Sequence, residues 1–80
     1  MIRISKQTRL EPADILKRAS DFFGEKGEKL KENEHNPCCI SFEGAGGYVV
    51  VSVEDQDKRR MVDVETRELE YQVKRFLELI

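Results

Sequence analysis

The chain has no tryptophan, one histidine, two prolines and two cysteines, and the cysteines are neighbours. Adjacent cysteines rarely bond to each other because the ring they close is small and awkward, so the sequence supports no disulfide framework. No uninterrupted apolar run approaches the roughly 18 residues of a membrane span. The segment Met1-Ile2-Arg3-Ile4-Ser5-Lys6 lacks the apolar core of a secretory signal. These absences predict a cytoplasmic protein with no membrane contact. A basic excess is missing too: formal charge is −2 and the pI is about 5.4. Nucleic-acid binding normally needs a positive field to neutralise phosphates, so this balance argues against such a partner.

What is present describes a folded domain. Apolar residues make up 39% and charged residues 38% of the 80 positions, which suits a small core under a heavily solvated exterior. A chain of this size buries only about 60% of the surface its unfolded form exposes, so self-association is a natural source of extra stability. One domain over residues 1–80 is expected.

The stretch CCISFEGAGGYVVVSV, residues 38–53, is the most informative. Two β-rich segments flank Gly44-Ala45-Gly46-Gly47. With a loop over 44–47, Glu43 faces Tyr48, Phe42 faces Val49, Ile40 faces Val51 and Cys38 faces Val53. That register gathers Cys38, Ile40, Phe42, Val49, Val51 and Val53 on one apolar face, and a slip of one residue would scatter them. The other face then carries Cys39, Ser41, Glu43, Tyr48, Val50 and Ser52.

Around this hairpin the remaining elements follow from periodicity. Ile2 and Ile4 alternate with Arg3 and Ser5 as a short strand. Pro12 suits the first turn of a helix, and Ile15, Leu16, Ala19, Phe22 and Phe23 share one stripe, giving a helix over 11–23 stopped by Gly24 in a left-handed cap. Residues 24–36 are polar with Leu30 as the clear exception. A solvated loop and an edge strand over 28–33 compete there, and alternating lysines and glutamates favour the edge strand. Asn36-Pro37 makes a turn. Glu54 to Arg60 is a charged turn, tight at Asp57-Lys58. Met61 to Thr66 is a strand with Val62 and Val64 inward and Met61, Asp63 and Glu65 outward. Leu69, Val73, Phe76, Leu77 and Ile80 form the stripe of a final helix, with Tyr71 exposed opposite.

The order β-α-β-β-β-β-α predicts an α+β two-layer sandwich: an antiparallel sheet with both helices on one face and the other face open to water or a partner. This order is similar to half of a TATA-binding-protein-like fold and to a minimal helix-grip (START-like) fold. The segments IRISKQTRLEPADILKRASDFFG, CCISFEGAGGYVVVSV and VDVETRELEYQVKRFLELI resemble a family of short uncharacterised prokaryotic proteins. The fold-level likeness implies that the N-terminal strand lies beside the last strand. The likeness to the short prokaryotic proteins brings no established activity or catalytic residue with it.

The candidate constellations weigh against catalysis. Phosphate-binding glycines lead from a strand into a helix, whereas Gly44-Ala45-Gly46-Gly47 leads into another strand, so a hairpin turn needing positive φ is the better reading. His35, Cys38 and Cys39 approach a metal or redox cluster, but neighbours in a strand point to opposite faces and cannot converge unless the strand starts later. A buried Cys38 with a half-exposed Cys39 is the ordinary expectation. Glu43, Asp63 and Glu65 on the outward face read as a solvated surface, and Asp55-Gln56-Asp57 lacks the glycine and closing glutamate of a calcium loop. Lys58-Arg59-Arg60 is largely cancelled by neighbouring aspartates.

The outward sheet face stands out. Tyr48, Val50, Met61 and Cys39 are apolar or amphipathic and suit a contact surface. The sequence therefore predicts a non-enzymatic interaction or assembly module, with no cofactor and no metal, whose partner is a second copy or another protein. The alternative is a small hydrophobic-ligand binder of helix-grip type, with a groove lined by Phe42, Val64 and Phe76.

Overall fold

A computed structural model describes residues 2–24, 27–44 and 46–80. Its elements are β1 (Ile2–Thr8), α1 (Pro12–Phe23), β2 (Lys31–His35), β3 (Cys39–Gly44), β4 (Gly47–Gln56), β5 (Arg59–Arg67) and α2 (Glu70–Glu78). The five strands form one antiparallel sheet in the order β1-β5-β4-β3-β2. β4 is central, and the N-terminal strand lies beside the last one, the adjacency expected above.

The central register is the expected one. Phe42 pairs with Val49, Ile40 with Val51 and Glu43 with Tyr48. Across β4 and β5, Val51 pairs with Val64 and Val53 with Val62. Because side chains alternate, these pairings line up Ile40, Phe42, Val49, Val51, Val62 and Val64 on one face, and all six are buried. They share a single core with Ile15, Leu16, Ala19 and Phe23 of α1 and with Leu69, Val73, Phe76 and Leu77 at and within α2. Phe23 is its aromatic hub, with ring centroids 5.5 Å from Phe42 and 5.2 Å from Phe76.

Both helices fit the stripes read from the sequence. Pro12 occupies the first turn of α1, where its missing N–H leaves no carbonyl unserved. In α2, Val73 and Phe76 are fully buried while Tyr71 is 68% exposed. The backbone carbonyls at the end of α2 are taken by cations from elsewhere: Lys6 Nζ donates to Leu77 O, and Arg18 Nη1 donates to Leu79 O at 3.1 Å.

Four expectations need correction. Gly24 does not adopt a left-handed cap; its φ of −78° and ψ of −159° are extended, and its N–H simply continues the helical pattern to Ser20 O. The positive φ appears later, at Lys29. The edge strand spans Lys31–His35 rather than 28–33, and all five of its residues are exposed while Leu30 just before it is buried. β3 begins at Cys39, not Cys38, so Cys38 is exposed in the turn instead of buried opposite Val53. Finally, Cys38 and Cys39 are joined by a disulfide. The physical reason is shared by the last two: with Cys38 outside the strand, the alternation that would drive two neighbouring side chains to opposite faces no longer applies.

The hairpin turns follow glycine and aspartate chemistry. β3 and β4 remain paired up to Gly44 and Gly47, one step further into the glycine segment than a loop over 44–47 implies. Gly44 and Gly46 have φ of 151° and 80°, as a glycine-dependent turn requires. The part of that turn at Ala45 lies outside the described residues, as do Glu25 and Lys26 of the polar segment. At the opposite end of β4, Gln56 pairs with Arg59 across Asp57-Lys58, and Asp57 takes φ 53°.

Candidate functional site: the open sheet face

The face of the sheet opposite the core is built row by row from the pairing. One row runs Arg67–Tyr48–Glu43, the next Arg3–Glu65–Val50–Ser41, then Ser5–Asp63–Ser52–Cys39, then Gln7–Met61–Glu54. Tyr48, Val50, Met61 and Cys39 are each half-buried. Tyr48 and Val50 are neighbours on the central strand, and Cys39 lies diagonally from Val50, so these three form one stripe. Met61 stands apart: it pairs with Glu54, four residues along β4 from Val50, which is about 13 Å at strand rise. The row of Asp63 and Ser52 lies between them.

Polar groups frame this stripe and are themselves partnered. Tyr48 hydroxyl donates to Glu65 Oε2 at 3.0 Å. Ser5 hydroxyl donates to Asp63, whose other oxygen lies 3.7 Å from Arg3 Nη2. Arg59 Nη1 donates to Gln7 Oε1 at 3.3 Å. Glu65 and Asp63 thus serve as acceptors for neighbouring side chains, and Glu43 is exposed. Such an arrangement orients Tyr48 but gathers no pair of carboxylates around a reacting position.

Burial pushes the Tyr48 phenol above its usual pKa, the hydrogen bond to Glu65 and the Glu65 charge add to the rise, and Arg67 opposes it. Folding therefore favours the neutral phenol. The associated stability is fully present below the ordinary phenol pKa of about 10 and is lost as pH climbs through the higher folded value. In a Tyr71→Phe variant, Tyr48 is the remaining tyrosine of the two. Its ultraviolet phenolate titration is expected to have a midpoint above that of free tyrosine; a midpoint at or below it would contradict the half-buried, donating hydroxyl.

Other sequence-singled residues have ordinary settings. Phe42, Val64 and Phe76 are buried in the core. Phe76 also borders a shallow surface depression with Phe22, Arg18 and Leu79. His35 Nδ1 lies 3.6 Å from Glu32 Oε1, and among the described residues no cluster of three His, Cys, Asp or Glu side chains is arranged to hold a metal ion. In the basic run, Arg60 bridges Glu11 at 3.0 Å and Asp55 at 2.7 Å, the second contact poorly aligned for a hydrogen bond.

Two roles escaped sequence reading. Thr66, expected only as a strand end, is fully buried, and its hydroxyl donates to Tyr48 O at 2.7 Å, fixing the strand beneath the stripe. Lys6 reaches the end of α2. Alternation from Ile2 and Ile4 does place residue 6 on the core side, so the signal for Lys6 was there, but a charged residue at that position reads as an interruption.

The fold and this face define an α+β domain with a five-stranded antiparallel sheet and two helices. No protein-family model matches the chain, and no curated protein matches it. No helix among the described residues is long and apolar enough to cross a membrane.

Proposed function

We propose that the protein is a non-enzymatic interaction module of the cytoplasm that self-associates through its open sheet face. The supporting observation is the asymmetry at the centre of the sheet: one face buries Ile40, Phe42, Val49, Val51, Val62 and Val64, while the other presents Tyr48 and Val50 half-buried on the central strand. The proposal includes a two-layer arrangement with both helices over the buried face. Support comes from the core that both helices share with the strands and from Phe22 and Phe23 of α1 meeting Phe76 of α2. The likeness to a helix-grip fold belongs to the same proposal, on the strength of element order and strand adjacency alone, and fold likeness does not carry function.

A second copy is the favoured occupant because the face carries both signs of charge. Arg3, Arg59 and Arg67 stand among Glu43, Glu54, Asp63 and Glu65. A twofold pairing sets a patch against itself, so a surface of mixed sign can meet its own copy without net repulsion. Tyrosine supplies contact area at the centre. The alternative groove reading would require Phe42 and Val64 to open from a packed core.

Light scattering tests the proposal. The wild-type protein is expected at a multiple of its 9.3 kDa chain mass. Tyr48→Lys with Met61→Lys, folded by far-ultraviolet circular dichroism, is expected to reduce it to the single-chain mass by setting charge in the contact, with lysine at 48 lying between Glu43 and Arg67. A wild type that is monomeric at every concentration, or a variant whose mass is unchanged, removes the idea.

A further inference from the structure

Cys39 lies on the open face, and its disulfide with Cys38 in the turn carries a chemistry that the docking reading does not use. Its setting has three properties. First, Cys38 is exposed and Cys39 half-buried, so a solvent thiol can approach the bond from the Cys38 side. Second, the turn holding the pair is fixed mainly by bonds that involve no sulfur, with Cys38 Sγ lying 3.1 Å from Asn36 Oδ1 besides. Asn36 and Cys39 exchange backbone hydrogen bonds at 2.9 and 3.2 Å, Cys38 N–H donates to Asn36 Oδ1 at 3.1 Å, and Val53 N–H donates to Cys38 O at 2.8 Å. Third, the bond links chain neighbours. A disulfide stabilises mainly by constraining the loop it closes in the unfolded chain, and here there is almost no loop to constrain.

These properties describe a bond that can open without loosening the fold and leave its two sulfurs side by side. We propose that Cys38–Cys39 is a reversible thiol–disulfide site that exchanges with low-molecular-weight thiols and, once reduced, chelates a soft thiophilic ligand through both sulfurs. Exchange begins when an external thiolate attacks Cys38 Sγ, the sulfur of the exposed residue, and the S–S electron pair leaves on Cys39 as a thiolate. A second external thiolate then attacks the external sulfur of the mixed disulfide and frees Cys38. The two external thiols depart as their disulfide, having supplied two electrons, and the cysteine thiolates take up protons according to pH. The reverse sequence, driven by a small disulfide, closes the pair again. With an aryl arsenic(III) oxide, the reduced pair forms two As–S bonds while its two protons leave with the arsenical oxygen as water.

The test equilibrates the full chain, purified without reductant, across a glutathione redox series, followed by alkylation and mass spectrometry. Alkylatable thiols are expected to go from none to two within the series while far-ultraviolet circular dichroism stays unchanged. The reduced protein is expected to take up one phenylarsine oxide in native mass spectrometry. Cys38→Ser and Cys39→Ser, both folded by circular dichroism, are each expected to lose that uptake. Cys39→Ser is further expected to accumulate a glutathione adduct at Cys38 at the oxidised end, because no Cys39 thiolate is there to displace glutathione and close the pair. Two free thiols at the oxidised end overturn the proposal. So do a bond that stays closed at the reduced end, loss of structure on reduction, or arsenical uptake that survives in either serine variant.

Discussion

Replacing Phe23 by alanine is expected to lower the stability of the folded protein by about 3–5 kcal/mol, the cost of emptying a buried aromatic site. Phe23 is fully buried, and its ring meets Phe22, Phe42 and Phe76 at centroid distances of 4.9, 5.5 and 5.2 Å. Its loss therefore touches α1, β3 and α2 together. For a domain of 80 residues the total stability is roughly 4–12 kcal/mol, so this one change removes a large part of it. Urea unfolding followed by circular dichroism measures the effect. The midpoint is expected to move sharply downward, or the variant to be unfolded before urea is added. A loss under about 1 kcal/mol would mean that the cavity collapses freely and that the ring cluster is not the hub of the core.

Gly47→Ala is the second change with a large expected effect, for a different reason. A Cβ at residue 47 would fall 2.0 Å from Arg67 O and 2.9 Å from Glu68 Cβ. Backbone cannot yield as a flexible side chain does, so the end of β5 has to move away from β4. The next pair along is Tyr48 with Arg67, and Thr66 holds Tyr48 O by its hydroxyl. The substitution is thus expected to destabilise the fold by more than about 1 kcal/mol, beyond the range in which alanine merely stiffens the unfolded chain. It should also disturb the Tyr48 ring, visible as a change in near-ultraviolet circular dichroism. Gly46→Ala is the control: a Cβ there meets nothing within 4 Å, and only the φ of 80° opposes it. An alanine at 47 no more harmful than one at 46 would show that the close approach of β4 and β5 is not required.

Much of this architecture was legible because short-range patterns carry it. Ile40 and Phe42 alternate with Ser41 and Glu43, and a glycine segment sets the pivot, so a single register buries them together with Val49 and Val51. The stripes of α1 and α2 were equally plain, since Val73, Phe76 and Leu77 fall on one side of a helix and Tyr71 on the other. What resisted reading had no local period. The polar segment before β3 has one apolar residue, Leu30, and nothing in its lysines and glutamates fixes where pairing starts. The bulge between Glu32 and Glu34 shifts that register further.

The candidate face was legible in part. Tyr48, Val50 and Cys39 were expected on one side of the sheet and do share a stripe, but strand alternation names a face without giving distances along it. Met61 belongs to the same face yet sits two rows away, because β5 runs antiparallel to β4 and pairs Met61 with Glu54. The Cys38–Cys39 bond was hidden by a difference of one residue in where β3 begins. Strand boundaries depend on which backbone groups find partners: Asn36 takes Cys39 across the turn, and Cys38 keeps its carbonyl bond to Val53 N–H while its own N–H turns to the Asn36 side chain.

By itself the sequence determined the seven elements in their order, the β3–β4 register and the set of side chains that must be hidden, because alternation and helical spacing are local properties written in neighbouring residues. Only the tertiary structure decided where the strand edges fall, that Lys6 and Arg18 meet the end of α2, and that two adjacent cysteines converge in a turn. Those features depend on groups distant in the chain, or on one hydrogen bond choosing between adjacent residues, and no short-range period encodes either.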